Sequence, residues 1–334
     1  MSDILSNPAI DILDSTKLQD ASACRRKFMF AHVFGWRSAY PNNHLVFGSA
    51  WHLAMAYLLE KGYSIENIGD AYAIFEEEYR KDFSPDTDDM FFPKVPYVVL
   101  TNLAKYVLQY KEIDGEYKTL HIEVAGSVPI LYGYRLHFKL DSILQHITSG
   151  MYSSREHKTG SRLSQAWRDQ WCSKIQTGTY QHVLMCMYDK ELVEGISING
   201  AIFTSGIKKA GKVEFERVPV RRSDLMMEVW LHNVSELAAD ISDDIAELRE
   251  DFNNHVRDEV LSLFPMNTET CGGYNGCLYK DMCTSWGNPL RYIDSIPSGF
   301  EERFWNPIEE RSTAREIIDL GEVKEQEATA DSVL

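Results

Sequence analysis

The chain has 334 residues, of which 44% are hydrophobic and 25% are charged, and its net charge is −16. This composition is that of a globular protein and excludes a disordered chain, a collagen and a disulfide-stabilised miniprotein. No apolar run approaches the roughly 20 residues of a membrane helix, and the first 15 residues contain no Lys or Arg. We therefore expect no membrane anchor, no signal peptide and a cytoplasmic location.

The first third of the chain is predicted to be helical. Ser15 is a candidate N-cap, and apolar residues then recur at helical spacing up to Val33. Further helices are predicted over 47–61, 66–82 and 95–112. Three prolines and three aspartates between 84 and 96 indicate a loop.

Alternating and β-branched residues begin near residue 117 and predict strands. The predicted strands are 120–131, 136–140, 151–157, 196–206 and 213–220. A long helix is predicted over 165–190 and a second, acidic one over 223–261. The polar, acidic segment from 301 to 334 is expected to be a flexible tail.

Positive charge is concentrated in one central segment. Residues 151–222 contain 12 basic and 7 acidic side chains, a net charge of +5. Residues 223–300 contain 4 basic and 14 acidic side chains, a net charge of −10. Phosphate binding depends on where Lys and Arg lie, so the acidic net charge does not exclude a nucleic acid as the partner.

Two carboxylates and a lysine are predicted to meet on adjacent strands. Residues two apart in a strand share a face, so Glu156 and Lys158 project together, and Asp141 on the preceding strand can reach them. Carboxylates in this arrangement suit Mg²⁺ or Mn²⁺, and a lysine can orient a water or stabilise charge on a phosphate. The alternative is a surface Glu–Lys pair on a strand edge.

Two helices carry further polar candidates. His52 follows Gly48 by four residues on an otherwise apolar helix, where it is either a metal ligand or a buried structural histidine. Gln176 and Tyr180 are spaced i, i+4 and share a helix face, which is also the pattern of an amphipathic helix with a polar edge.

The order of these motifs, Gly-x-x-x-His, Asp, Glu-x-Lys-Thr-Gly and Gln-x-x-x-Tyr, resembles the RecB-like branch of the PD-(D/E)XK nuclease superfamily. The resemblance implies an α/β restriction-endonuclease-like core, a mixed central sheet flanked by helices. It also implies a helical N-terminal region (1–115), the nuclease core (116–222), a long helix with a cysteine cluster packed back on the core (223–300), and the tail.

The resemblance also implies roles for the motif residues. His52, Asp141, Glu156 and the backbone carbonyl of His157 would hold the metal. Lys158 would position the attacking water. Gln176 and Tyr180 would support the site, and Glu123 corresponds to an additional acidic residue found in some members.

Four of the six cysteines extend the resemblance. AddB-type and CRISPR-associated nucleases of this branch bind a [4Fe–4S] cluster through one cysteine before the His motif and three after the core. Cys24, Cys271, Cys277 and Cys283 match that order, although their C-x₅-C-x₅-C spacing departs from the usual C-x₂-C pair. A zinc site and reduced, metal-free cysteines are the alternatives.

The function implied is metal-dependent hydrolysis of DNA, acting on single strands or duplex ends as an exonuclease in recombination, repair or phage DNA processing. No Walker A motif is present, so any helicase or recombination protein would be a separate partner. A catalytically inactive DNA-binding module and a restriction-type endonuclease are the rival classes. Basic residues expected to contact phosphates include Arg155, Arg162, Arg168 and Lys174.

Overall fold

The computed structural model describes residues 3–205, 211–272 and 276–321. In chain order its strands are β1 (Trp36–Ser38), β2 (Tyr117–Pro129), β3 (Arg135–His146), β4 (Tyr152–Gly160), β5 (Val193–Ser205), β6 (Gly211–Val220), β7 (Phe300–Glu302) and β8 (Glu316–Asp319). Six of them form one mixed sheet in the order β6-β5-β4-β3-β2-β8, and β1 pairs with β7 in a separate two-stranded sheet.

The helices are α1 (Ser15–Ala23), α2 (Arg25–Phe28), α3 (Asn43–Lys61), α4 (Ile65–Tyr79), α5 (Asp88–Phe91), α6 (Pro96–Asp114), α7 (Gln165–Asp169), α8 (Ile175–Met187), α9 (Asp224–Glu250), α10 (Phe252–Arg257) and α11 (Lys280–Ser285). Single helical turns join several of these elements, among them the π-helical Met29–Val33 and the 3₁₀ turns Gln170–Ser173 and Glu309–Ser312. None of the described helices is long and apolar enough to cross a bilayer.

The pairing of the central strands creates a fork. β3 and β4 are antiparallel but pair only over Ile143–Gln145 with Tyr152–Ser154. On its other edge β4 pairs with β5, in parallel and along its whole length. Asp141 on β3 and Glu156 on β4 therefore lie where the two strands separate.

Each face of the sheet buries its own apolar cluster. One cluster joins α3, α4 and α6 to side chains of β5 and β6 such as Phe203 and Val213. The other joins α1, α8 and α9 to β2 and β3. The alternating residues that predicted strands supply both clusters, because successive side chains point to opposite faces.

Three predicted helices are interrupted; the one expected over 223–261 divides at Asp251 into α9 and α10 and ends at Arg257. The helix expected up to Val33 breaks at Cys24, whose backbone is extended (φ −164°), and Arg26 N–H donates to the carbonyl of Pro265. The helix expected over 165–190 breaks at Lys174, which is also extended. At Cys24 a distant segment supplies the hydrogen bond, which sequence periodicity does not reveal.

The expectation of a flexible tail is wrong for residues 301–321. β7 pairs with β1, and β8 pairs with β2 through Val124–Ser127. Arg135 donates to the carbonyl of Leu320, and Ser127 donates to Asp319 at 2.7 Å. Charge and low aromatic content suggested a tail, but paired backbone groups and a few apolar residues hold this segment on the sheet. Residues 322–334 lie outside the described residues.

Candidate active site

β4 presents Glu156 and Lys158 on one face, as the alternation of strand residues predicts. Lys158 Nζ lies 2.6 Å from Glu156 Oε1. Glu156 is buried, and its second oxygen, Oε2, is buried without a hydrogen-bond partner. An unpartnered carboxylate oxygen in the protein interior is costly, so this atom indicates a position where a ligand would bind.

Asp141 faces Glu156 across the fork between β3 and β4. Its Oδ2 accepts a 2.7 Å hydrogen bond from the backbone N–H of His157, and its Oδ1 lies 3.0 Å from Nδ1 of His52. Burial opposes ionisation of Asp141, but His52 and the His157 amide outweigh it and hold the pKa of this carboxyl below its usual range.

Charge in the fork is balanced between two acids and two bases. Burial alone would lower the pKa of His52, but Asp141 and Glu156 raise it to about 9. Burial, with the nearby charge of Asp141, raises the pKa of Glu156 to about 7. Burial would also lower the pKa of Lys158, yet Glu156 raises it above its usual value, so this lysine is cationic at neutral pH.

α8 supports the fork from the other side. Gln176 Nε2 donates to Tyr180 Oη at 2.8 Å and lies 3.3 Å from Glu156 Oε1. Tyr180 Oη donates in turn to the backbone carbonyl of Lys139 at 2.8 Å. The i, i+4 pair therefore connects β3, β4 and α8 through side chains.

Glu123 forms part of the opposite wall. It lies in the left-handed region (φ +51°), and neither it nor Asp141 is paired in the register of β2 with β3. Its Oε2 lies 2.8 Å from Lys139 Nζ. Irregular strand residues with positive φ are costly for a side chain larger than glycine and occur often beside active sites.

The fork opens into a cavity of about 520 Å³. Its polar lining includes the motif residues His52, Asp141, Glu156, Lys158, Gln176 and Tyr180, together with Glu123, but not His157. The motif residues, spread over about 130 positions of sequence, thus surround one space.

Residues that sequence reasoning missed complete the cavity. Asp14 N-caps α1 and accepts a hydrogen bond from Trp305 Nε1 at 2.8 Å. Glu310 lies beside them, and burial together with Asp14 raises its pKa to about 7. No motif spacing pointed to these residues, because Trp305 and Glu310 belong to the segment expected to be a tail.

The donors suit a hard divalent cation better than a soft one. Asp141 and Glu156 offer carboxylate oxygens, and Glu156 Oε2 has no partner. Among the described residues, however, no group of three or more His, Cys, Asp or Glu side chains is arranged to hold a metal ion. Three of the four oxygens of Asp141 and Glu156 already have partners, which are His52, Lys158 and the backbone amide of His157. The charges of His52 and Lys158 balance those of the two carboxylates.

The four residues expected to contact nucleic acid do not share one environment. Arg155 is buried and pairs with Asp114 at 2.9 Å, so its assignment to phosphate binding is corrected to a structural role. Arg168 pairs with Glu216. Arg162 is exposed and Lys174 is half-buried. Arg155 lies on the same face of β4 as His157, opposite to the cavity, and for this reason its side chain does not reach the cavity.

The four cysteines of the predicted cluster come into one neighbourhood. Cys24 is buried and the other three are half-buried. Burial raises the pKa of Cys283 to about 11, Arg26 opposes this, and the nearby Cys277, Cys24 and Cys271 add to it. The thiols do not, as they stand, form a metal-binding group within the part of the chain that the structure describes.

Comparison with known proteins places this site in a family context. The family model of the PD-(D/E)XK nuclease superfamily matches residues 15–284. Among solved structures, a candidate exonuclease from Eubacterium rectale is similar at 14% identity and a TM-score of 0.41, over 70% of this chain and 80% of that one. No curated protein sequence matches. The six-stranded mixed sheet flanked by helices is consistent with the restriction-endonuclease-like fold of that superfamily.

Proposed function

Since the chain belongs to the PD-(D/E)XK nuclease superfamily, we propose that it is a metal-dependent deoxyribonuclease that degrades DNA from its ends. The observation that carries this proposal is the fork between β3 and β4, where Asp141, Glu156 and Lys158 face one cavity and Glu156 Oε2 lacks a partner. The order of the motifs in the sequence supports membership of the RecB-like branch of this superfamily.

A Mg²⁺ or Mn²⁺ ion would be held by His52, Asp141, Glu156 and the main-chain carbonyl of His157. When bound, such an ion acts as a Lewis acid toward the phosphate and lowers the pKa of bound water. The His157 amide keeps Asp141 oriented through its 2.7 Å hydrogen bond. Gln176 does the same for Glu156. The two carboxylates are therefore pre-positioned by the fold.

Lys158 supplies positive charge where negative charge develops during hydrolysis. It is 2.6 Å from Glu156 Oε1 and remains protonated at neutral pH, so it acts through electrostatic stabilisation and by orienting water, and does not act as a base. Electrostatic stabilisers of this kind contribute on the order of 3 kcal/mol to the barrier when one donor is removed.

The test compares Lys158→Ala with Lys118→Ala, an exposed lysine on β2 outside the cavity. Both variants are incubated with end-labelled linear DNA in Mg²⁺, Mn²⁺ or EDTA. We expect wild type and Lys118→Ala to cleave only with metal, and Lys158→Ala to lose cleavage while retaining its fold, as judged by circular dichroism, and most of its DNA binding. Cleavage by Lys158→Ala would refute the assignment.

A second substrate decides the mode of attack. Closed circular DNA has no ends, so an exonuclease leaves it intact and degrades the same plasmid after linearisation. Cutting of the closed circle at one site would indicate a restriction-type endonuclease instead. Binding of both substrates without cleavage in either metal would indicate an inactive DNA-binding module.

We also propose that Cys24, Cys271, Cys277 and Cys283 hold a [4Fe–4S] cluster. The support is their shared neighbourhood and their order relative to the nuclease motifs. Such a cluster would join the break between α1 and α2 to the segment around α11. Anaerobic purification followed by iron, sulfide and zinc analysis tests it. About four irons per chain is the expected result, one zinc would correct the metal, and a folded metal-free protein would refute the proposal.

A further inference from the structure

A row of polar side chains crosses the sheet behind the fork. His157 on β4, Asn199 on β5 and Arg217 on β6 are register partners, so their side chains lie side by side on one face. This face packs against α3 and α6, and it is opposite to the face that carries Glu156 and Lys158. His157 and Asn199 are only 4% and 1% exposed. Polar groups buried this deeply are as a rule hydrogen-bonded, so the partners of the row determine its geometry.

The amide of Asn199 is fixed in one orientation. Its Oδ1 accepts a 3.1 Å hydrogen bond from Arg217 Nε, which turns its Nδ2 away from β6. Nδ2 donates to Nδ1 of His157 at 2.9 Å and to Tyr106 Oη at 2.7 Å, which uses both of its hydrogens. Since Nδ1 accepts, the ring proton of His157 is on Nε2. The imidazole is therefore held in one tautomer and one orientation.

The far end of the row is anchored at the end of α6. Arg217 donates through both terminal guanidinium nitrogens to the two oxygens of Asp114, the last residue of that helix. Tyr63 Oη donates to the same carboxylate at 2.6 Å, and Arg155 lies 2.9 Å from it. The row therefore ends in an ion-pair cluster that several elements hold in place.

The near end of the row is the main chain of the proposed metal site. The N–H and the carbonyl of a strand residue point to the same edge of the strand. At His157 this edge faces the fork, because its N–H donates to Asp141 there at 2.7 Å. The ladder between β3 and β4 ends at Ser154, so neither group of His157 takes part in it. His157 itself is linked to β5 by its imidazole, through the hydrogen bond from Asn199.

We propose that Asn199 is a positioning residue for the metal site. By holding the imidazole of His157, it fixes the main-chain N–H that binds Asp141 and the carbonyl that would bind Mg²⁺ or Mn²⁺. This inference rests on the proposed nuclease function. Groups that orient metal ligands from outside the coordination sphere typically contribute about 10- to 100-fold to metal affinity.

The experiment compares Asn199→Leu with Asn288→Leu. Asn288 is also buried, at 3% exposed, does not line the cavity, and donates two hydrogen bonds through Nδ2, to the carbonyls of His255 and Asp258. Mn²⁺ binding is measured without DNA, from the electron paramagnetic resonance signal of the free ion, and Asp141→Asn gives the binding that occurs elsewhere on the protein. We expect Asn199→Leu to weaken Mn²⁺ binding by about 10-fold or more. Asn288→Leu should lower the Tm and leave Mn²⁺ binding unchanged.

A double-variant cycle separates positioning from a general loss of stability. His157→Phe removes the imidazole nitrogens and keeps the main-chain N–H and carbonyl, and it provides the test alone if Asn199→Leu does not fold. If Asn199 acts through the imidazole, the double variant should lose no more Mn²⁺ affinity than either single variant.

Three outcomes would overturn the role of Asn199. They are wild-type Mn²⁺ affinity in Asn199→Leu or His157→Phe, losses that add in the double variant, and an equal loss in Asn288→Leu. A wild-type protein that binds no Mn²⁺ and cleaves no DNA would refute the proposed function instead.

Discussion

Glu156→Gln should stabilise the metal-free protein while abolishing cleavage. The pKa of Glu156 rises from its ordinary value of 4.5 to about 7, because burial and the nearby Asp141 disfavour its ionised form. At about 1.36 kcal/mol per unit this corresponds to roughly 3 kcal/mol. Glutamine has nearly the same shape as glutamate, and its amide oxygen can still accept hydrogen bonds from Lys158 and Gln176. Because glutamine carries no charge, the variant avoids the free-energy cost of burying an ionised carboxylate.

The gain should depend on pH with a definite sign. A carboxyl whose folded pKa is raised destabilises the folded chain at pH values above the unfolded pKa, and the full cost is present above the folded one. The difference in Tm between Glu156→Gln and wild type in EDTA should therefore be small near pH 5 and roughly 5 °C near pH 8. Glu191→Gln, at an exposed position, is the matched control. A destabilised Glu156→Gln protein, or a gain that does not change with pH, would refute this account of the fork.

Two further changes test the packing around the site. In Gly126→Ala the new Cβ would lie 1.8 Å from the backbone oxygen of Ile318, so β8 should detach from β2. Limited proteolysis should then cleave the segment after residue 300 faster than in wild type. The control is Gly69→Ala on α4, whose Cβ meets nothing within 4 Å and which should add about 1 kcal/mol of stability. Asp114→Asn removes the carboxylate that pairs with the buried Arg155 and the half-buried Arg217, and it should cost roughly 3 kcal/mol in urea unfolding. Unchanged proteolysis in the first case, or a loss under 1 kcal/mol in the second, would contradict the contacts described.

The sequence was most informative where local spacing determines geometry. Alternation along β4 places Glu156 and Lys158 on one face, and the i, i+4 rule places Gln176 beside Tyr180, as the structure has them. The same alternation places Arg155 on the opposite face, where it pairs with Asp114, so proximity in sequence to Glu156 and Lys158 does not make it a phosphate contact.

The rest of the cavity was beyond local inference. Glu310 and Trp305 reach it because β8 adds to the edge of the sheet beside β2, a pairing between segments nearly 200 residues apart. Contacts of this separation leave no periodic signal in either segment. The break at Cys24 has the same origin, since its cause is a carbonyl at Pro265.

The placement of β7 and β8 has a consequence for how the protein is made. β1 and β2 are synthesised before β7 and β8, and each reaches its full pairing only when the later strand is present. While the polypeptide is still emerging from the ribosome, the fork between β3 and β4 therefore lacks the wall that carries Trp305 and Glu310. The cavity is therefore completed only after β8 has been synthesised, so a nascent chain that ends before this strand lacks part of the cavity wall.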